Sequence, residues 1–151
     1  MHQFLPYAWF RGQCVPFAEA TISVATHALH YGTGAFGGMR AIPNPGDPGE
    51  MLLFRADRHA RRLSQSARLL LAELPEATIH EAIRAFLLAN RPNCPIYLRP
   101  FVYTSDLGIA PRLHDIETSF LIYGIELGDY LSPEGVSCRI SSWTRQEDRS
   151  L

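Results

Sequence analysis

The spacing of apolar positions predicts a run of short strands at the start of the chain. Tyr7-Ala8-Trp9-Phe10 precedes the turn residues Arg11-Gly12-Gln13, and Cys14 to Phe17 returns as its partner. Ala35 to Ile42 reads as another strand, weakened by its glycines. Met51 to Phe54 resumes an apolar strand after Pro43-Asn44-Pro45-Gly46-Asp47-Pro48-Gly49, whose composition predicts the loop of a hairpin.

The period then changes from two to that of a helix. From Asp57, the residues Ala60, Leu63, Ala67, Leu70 and Leu71 recur at helical spacing and form a buried face, and Pro75 ends the segment. Thr78-Ile79-His80-Glu81 has the form of a capping box, with Thr78 as N-cap. Ile79, Ala82, Ile83, Phe86 and Leu87 make the stripe of a second helix that Asn90 and Pro92 stop. Further strands are predicted at about 95–104, 118–127 and 136–143. The order ββββααβββ predicts an α+β domain, a mostly antiparallel sheet with two helices.

Composition narrows the function classes. A chain of 151 residues, 46% apolar and 19% charged, suits one domain that buries about two-thirds of its unfolded surface. A net charge of −1, with arginines scattered singly or in pairs, speaks against nucleic acid as a partner. No apolar run approaches the roughly 20 residues that span a bilayer and no signal peptide opens the chain, so no membrane partner and a cytoplasmic location are expected. Cys14, Cys94 and Cys138 form no CxxC pair, which leaves neither a metal site nor a disulfide framework to expect. All 14 basic residues of the Lys+Arg count are arginines, so the chain has no lysine.

Several residues could carry chemistry. In the strand at 95–104, Tyr97, Arg99, Phe101 and Tyr103 share one face while Ile96, Leu98 and Val102 share the other. A guanidinium among three rings suits a planar carboxylate beside an apolar group; the alternative is an edge strand whose Arg99 reaches solvent. Arg58, Arg61, Arg62 and Arg68 decorate the first helix as a solvated basic face, although Arg62, beside core Leu63, could turn inward to an anion. His27, His30 and His59 lack metal-site spacing and read as structural histidines. The stretch His27 to Arg40, HALHYGTGAFGGMR, sets aromatic and basic residues among four glycines, as if backbone must approach a ligand closely.

That stretch resembles the N-terminal signature of branched-chain amino acid aminotransferases, pyridoxal-phosphate enzymes of fold type IV. Tyr7 to Gly12 resembles the family's opening strand, and Phe54-Arg55 through His59, Arg62 and Leu63 its first-helix segment. Tyr97-Leu98-Arg99-Pro100 is similar to its Tyr-x-Arg-Pro strand, and Ser141 to Arg145 to the stretch leading toward the cofactor.

The resemblance implies the small domain of a fold type IV enzyme over residues 1–151, with the start of the interdomain segment. It implies Arg62 as the cofactor-phosphate ligand and Tyr31, Phe36, Gly38, Arg40, Tyr97, Arg99 and Tyr130 as substrate-binding residues, with Tyr31 serving a neighbouring subunit's site. It implies pyridoxal 5'-phosphate as cofactor, an amino acid and a 2-oxo acid as substrates, and a homodimer or higher homo-oligomer with the Ser105–Arg112 loop near its contact. Phe36-Gly37-Gly38 stands where the family often has Phe-Glu-Gly, losing a carboxylate. The family's Schiff-base lysine is expected shortly beyond Leu151, so no catalytic residue is expected here and the chain alone is expected to be inactive. Alternatives are a D-amino acid aminotransferase, an aminodeoxychorismate lyase, or a non-catalytic domain that binds a carboxylate ligand or a partner protein.

Overall fold

The computed structural model describes residues 3–128 and 134–144. Seven strands form one sheet: β1 (Tyr7–Phe10), β2 (Gln13–Pro16), β3 (Gly34–Phe36), β4 (Met39–Asn44), β5 (Asp47–Leu53), β6 (Ile96–Thr104) and β7 (Thr118–Glu126). Their order is β2-β1-β7-β6-β4-β5, and β3 also pairs with β6; every pairing is antiparallel. Among the described residues three α-helices, α1 (His27–Tyr31), α2 (Ala56–Arg68) and α3 (Glu76–Asn90), complete an α+β fold.

The alternation along β6 divides the molecule. Ile96, Leu98 and Val102 are buried with Met39, Ala41 and Ile122 against Ala60, Leu63 and Ala67 of α2 and Ile79, Ala82, Ile83 and Phe86 of α3. Gly124 of β7 lets the Phe86 ring lie on the sheet; a Cβ there would stand 2.9 Å from Phe86 Cζ. Asn90 fastens the end of α3 to the first strand: its side chain accepts from Tyr7 N at 3.0 Å and donates to Tyr7 O at 3.2 Å. With α2, α3 and the core on one face of the sheet, the other face is left to the aromatic and basic row of β6.

The sequence expectations need correction at several points. The strand expected over 35–42 is two strands, because the chain breaks at Gly37-Gly38 and continues as β4. The loop expected over 43–49 is shorter, with β4 and β5 running on to Asn44 and from Asp47. The five-residue α1 was not expected. The strand expected at 136–143 is absent: residues 136–144 carry no strand and are exposed, Val136 at 57% and Ile140 at 98%, so their alternation serves no ladder.

The helix ends also differ. Thr78 is not an N-cap, because α3 already begins at Glu76; Pro75 stands at the cap position and no side chain bonds there. α2 stops at Arg68, well before Pro75, in a turn where Leu71 N donates to Arg68 O and Ala72 N to Ala67 O. This is a Schellman motif with leucine at the left-handed position, φ 56°, usually taken by glycine. Leu71 is therefore not part of the buried face; it is 66% exposed. A left-handed non-glycine residue costs about 1–2 kcal/mol, part of which glycine returns through its freer unfolded chain. Leu71→Gly is expected to raise stability by about 0.5–1 kcal/mol, read as a higher urea midpoint at unchanged slope.

Candidate active site

Pairing registers the open face of the sheet row by row. Arg99 stands opposite Tyr123, Phe101 opposite both Leu121 and Phe36, and Tyr97 opposite Arg40. The Arg99 guanidinium lies over the Phe36 ring at 4.2 Å and near the Tyr97 ring at 5.3 Å. Its Nε is buried and has no hydrogen-bond partner among the described residues. A buried guanidinium N–H without an acceptor is costly unless an anion completes it. The solvent-reaching alternative for Arg99 thus gives way to a half-buried cation held between rings.

This cation stands at the wall of a cleft of about 390 Å³, lined otherwise by apolar or aromatic groups, among them Phe17, Ile22, Phe36, Phe101, Leu121 and Tyr123. Phe17 stacks on Phe4 at 4.7 Å and leans on Tyr123 at 6.3 Å. Phe17, Ile22, Leu121 and Tyr123 were not singled out from the sequence. Tyr123 alone was legible, by its place across the ladder from Arg99, had the register been known. The arrangement can hold a molecule with one planar anionic end and a hydrocarbon body.

The glycines of the His27–Arg40 stretch act through close approach. A Cβ on Gly38 would lie 2.8 Å from Cε2 and Cζ of Tyr97, and one on Gly34 would lie 2.5 Å from Cζ of Phe101. Only glycine lets β3 and the start of β4 slide beneath those rings, and so brings Phe36 over Arg99. Arg40 is exposed beside Tyr97.

Tyr31 is elsewhere. Its hydroxyl donates to the Ile109 carbonyl, and its ring packs on His27 at 4.6 Å, so it does not join the cleft of its own chain. Tyr130 lies outside the described residues. His27 is buried and bonded at both ring nitrogens, and His30 Nε2 meets the Val24 carbonyl at 2.8 Å, as structural histidines should.

On α2, Asp57 pairs with Arg55 at 3.0 Å and with Arg58 at 3.8 Å. The hydrogen bond from Arg55 is the main cause that holds the Asp57 carboxyl down at about 2, against an ordinary 3.8. Arg62 is exposed, and its Nη2 donates to His59 Nδ1 at 3.4 Å. Among the described residues it has no carboxylate partner, so its charge is open to an anion.

Among the described residues no helix is long and apolar enough to cross a membrane, and no group of three His, Cys, Asp or Glu could hold a metal ion. No family model matches the sequence.

Solved structures give the class. The fold is that of an aminotransferase half: a branched-chain aminotransferase from Thermoproteus uzoniensis with norvaline superposes with a TM-score of 0.87, at 29% identity, over 100% of this chain and 50% of that one. A T.th. branched-chain amino acid aminotransferase complexed with N-(5'-phosphopyridoxyl)-L-glutamate gives 0.73, at 31% identity, over 84% of this chain and 42% of that one. In sequence, a probable branched-chain-amino-acid aminotransferase of Synechocystis sp. is 61% identical over 151 residues, 100% of this chain and 50% of the relative. Over its whole length the chain is similar to branched-chain-amino-acid aminotransferases in both sequence and fold. It spans about half the length of the curated relatives it matches.

Proposed function

We propose that this chain is the substrate-reading domain of a pyridoxal-phosphate enzyme that moves the amino group of leucine, isoleucine or valine to 2-oxoglutarate. The observation that carries the reading is Arg99, whose buried Nε lacks an acceptor among the described residues while rings and an apolar cleft surround its guanidinium. Such a site takes a carboxylate on one side and a branched hydrocarbon on the other. The two ligand-bearing relatives agree in chemistry, one with norvaline and one with a phosphopyridoxyl-glutamate conjugate.

Within this reading Arg99 binds and orients a substrate carboxylate, Phe36 and Tyr97 exclude water around that ion pair, and Gly38 allows the backbone to approach. By the family resemblance Arg40 and Tyr130 are further substrate-binding residues. Tyr31, turned away from its own cleft, serves the site of a second copy in a homo-oligomer. The cofactor, when bound, supplies the electron sink and carries the amino group between substrates. Arg62 would hold its phosphate, which fits an exposed guanidinium without a carboxylate partner among the described residues.

The assignment is tested on Arg62 in a full-length protein that carries this domain. Arg62→Ala is expected to raise the pyridoxal phosphate needed for half activity about tenfold or more, since a charged hydrogen bond is worth about 1.5–3 kcal/mol. The ratio of leucine to 2-oxoglutarate specificity should stay the same. Unchanged cofactor affinity returns Arg62 to the solvated face.

A further inference from the structure

His27 joins three separate segments at one buried point. Its Nε2 lies 2.8 Å from the Ala110 carbonyl, which can only accept, so Nε2 carries a proton. In the neutral ring Nδ1 is then an acceptor, and it faces the hydroxyls of Thr33 at 2.9 Å and Thr104 at 3.0 Å. Thr33 directly precedes β3, which carries Phe36, and Thr104 ends β6, which carries Arg99. The backbone adds to the knot: His27 N donates to Asp106 O at 2.8 Å, and Thr26 bridges to Leu107.

The loop so fastened, residues 105–112, is otherwise exposed from Leu107 to Arg112 and buries little of its own. It also supplies the Ile109 carbonyl that accepts from Tyr31. A segment with few buried apolar contacts owes its position to such bonds. We propose that His27 is a positioning residue: it pins loop 105–112 to the ends of β3 and β6 and thereby sets the Tyr31 hydroxyl for substrate binding. The kinetic part rests on the aminotransferase reading above; the anchoring part does not.

The test uses the full-length protein with His27→Leu, His27→Gln and Tyr31→Phe. Leucine at 27 fills the space but bonds to neither side. Glutamine offers both an N–H for Ala110 and a carbonyl for the threonines. His27→Leu is expected to speed amide exchange in 105–112 about tenfold, and to raise the KM for leucine about two- to tenfold with kcat held, the size of a lost neutral hydrogen bond. Tyr31→Phe should raise KM alike, and His27→Gln should restore both exchange and KM.

Histidine nitrogen shifts in the unmodified protein give a readout that needs no variant: Nε2 protonated with Nδ1 bare supports the anchor, and the opposite tautomer overturns it. Unchanged exchange in His27→Leu also overturns it. A loosened loop with unchanged KM overturns the link to Tyr31. A full-length protein that never transaminates leucine sinks the functional reading instead, while exchange and nitrogen shifts still decide the anchor.

Discussion

Replacing Arg99 by alanine in the full-length protein is expected to lower kcat/KM for 2-oxoglutarate roughly ten- to a hundredfold. The figure follows from a charge-assisted contact of about 1.5–3 kcal/mol, and every 1.4 kcal/mol is a factor of ten. Two features make the contact more than a surface ion pair. The guanidinium is held between Phe36 and Tyr97, so little conformational freedom is lost when a carboxylate arrives. Its Nε is already out of water and lacks a partner among the described residues, so the cost of desolvation falls on folding and not on binding. Arg99→Lys should recover little, because an ammonium cannot lie flat between two rings or present a fork. Steady-state kinetics with 2-oxoglutarate and with a branched 2-oxo acid as acceptor check this, and equal kcat/KM in Arg99→Ala and the parent would remove Arg99 from the site.

The second large effect concerns the chain by itself. The isolated 151-residue polypeptide is expected to show no transamination of leucine above the rate of free pyridoxal phosphate. The family resemblance assigns cofactor attachment and proton transfer to a lysine, and this sequence has none. On the proposed reading Arg99 and Arg62 bind substrate and cofactor phosphate, and neither is a base of the kind the reaction needs. A coupled glutamate assay on the purified chain, with added cofactor, checks this. Turnover that survives purification to homogeneity contradicts it.

Much of the fold was legible because period carries it. The two-residue alternation from Ile96 to Tyr103 separated the core face from the site face, and the structure buries Ile96, Leu98 and Val102 while leaving Tyr97, Arg99 and Phe101 on the cleft side. The same rule misled at 136–143, where Val136, Cys138 and Ile140 alternate but find no ladder among the described residues. Alternation describes a surface that could be half-buried; a partner strand decides whether it is.

Helix α1 was missed because five residues are too few to show a period. It rests instead on His27 and its contacts with Thr33, Thr104 and Ala110, none of them near in spacing to a local pattern. The split at Gly37-Gly38 follows from tertiary demands, since the backbone must pass beneath Tyr97 and lay Phe36 over Arg99. In the site, Arg99 and its aromatic row came from periodicity. Arg62 was marked by its place beside core Leu63 before the resemblance gave it the cofactor phosphate, and Tyr31 and Arg40 took their roles from the resemblance. Phe17, Ile22 and Tyr123 came from neither, because their cleft forms only when β1, β7 and the segment after β2 meet.

The central claim is that the open face of β6 receives a substrate carboxylate at Arg99. Calorimetric titration of the full-length, cofactor-loaded protein with glutarate, an unreactive dicarboxylate, tests it most directly when run beside Arg99→Ala and Arg62→Ala, each brought to full cofactor loading. Glutarate is expected to bind the parent and Arg62→Ala alike and to bind Arg99→Ala about tenfold or more weakly. Equal affinity for glutarate in the parent and Arg99→Ala would contradict it.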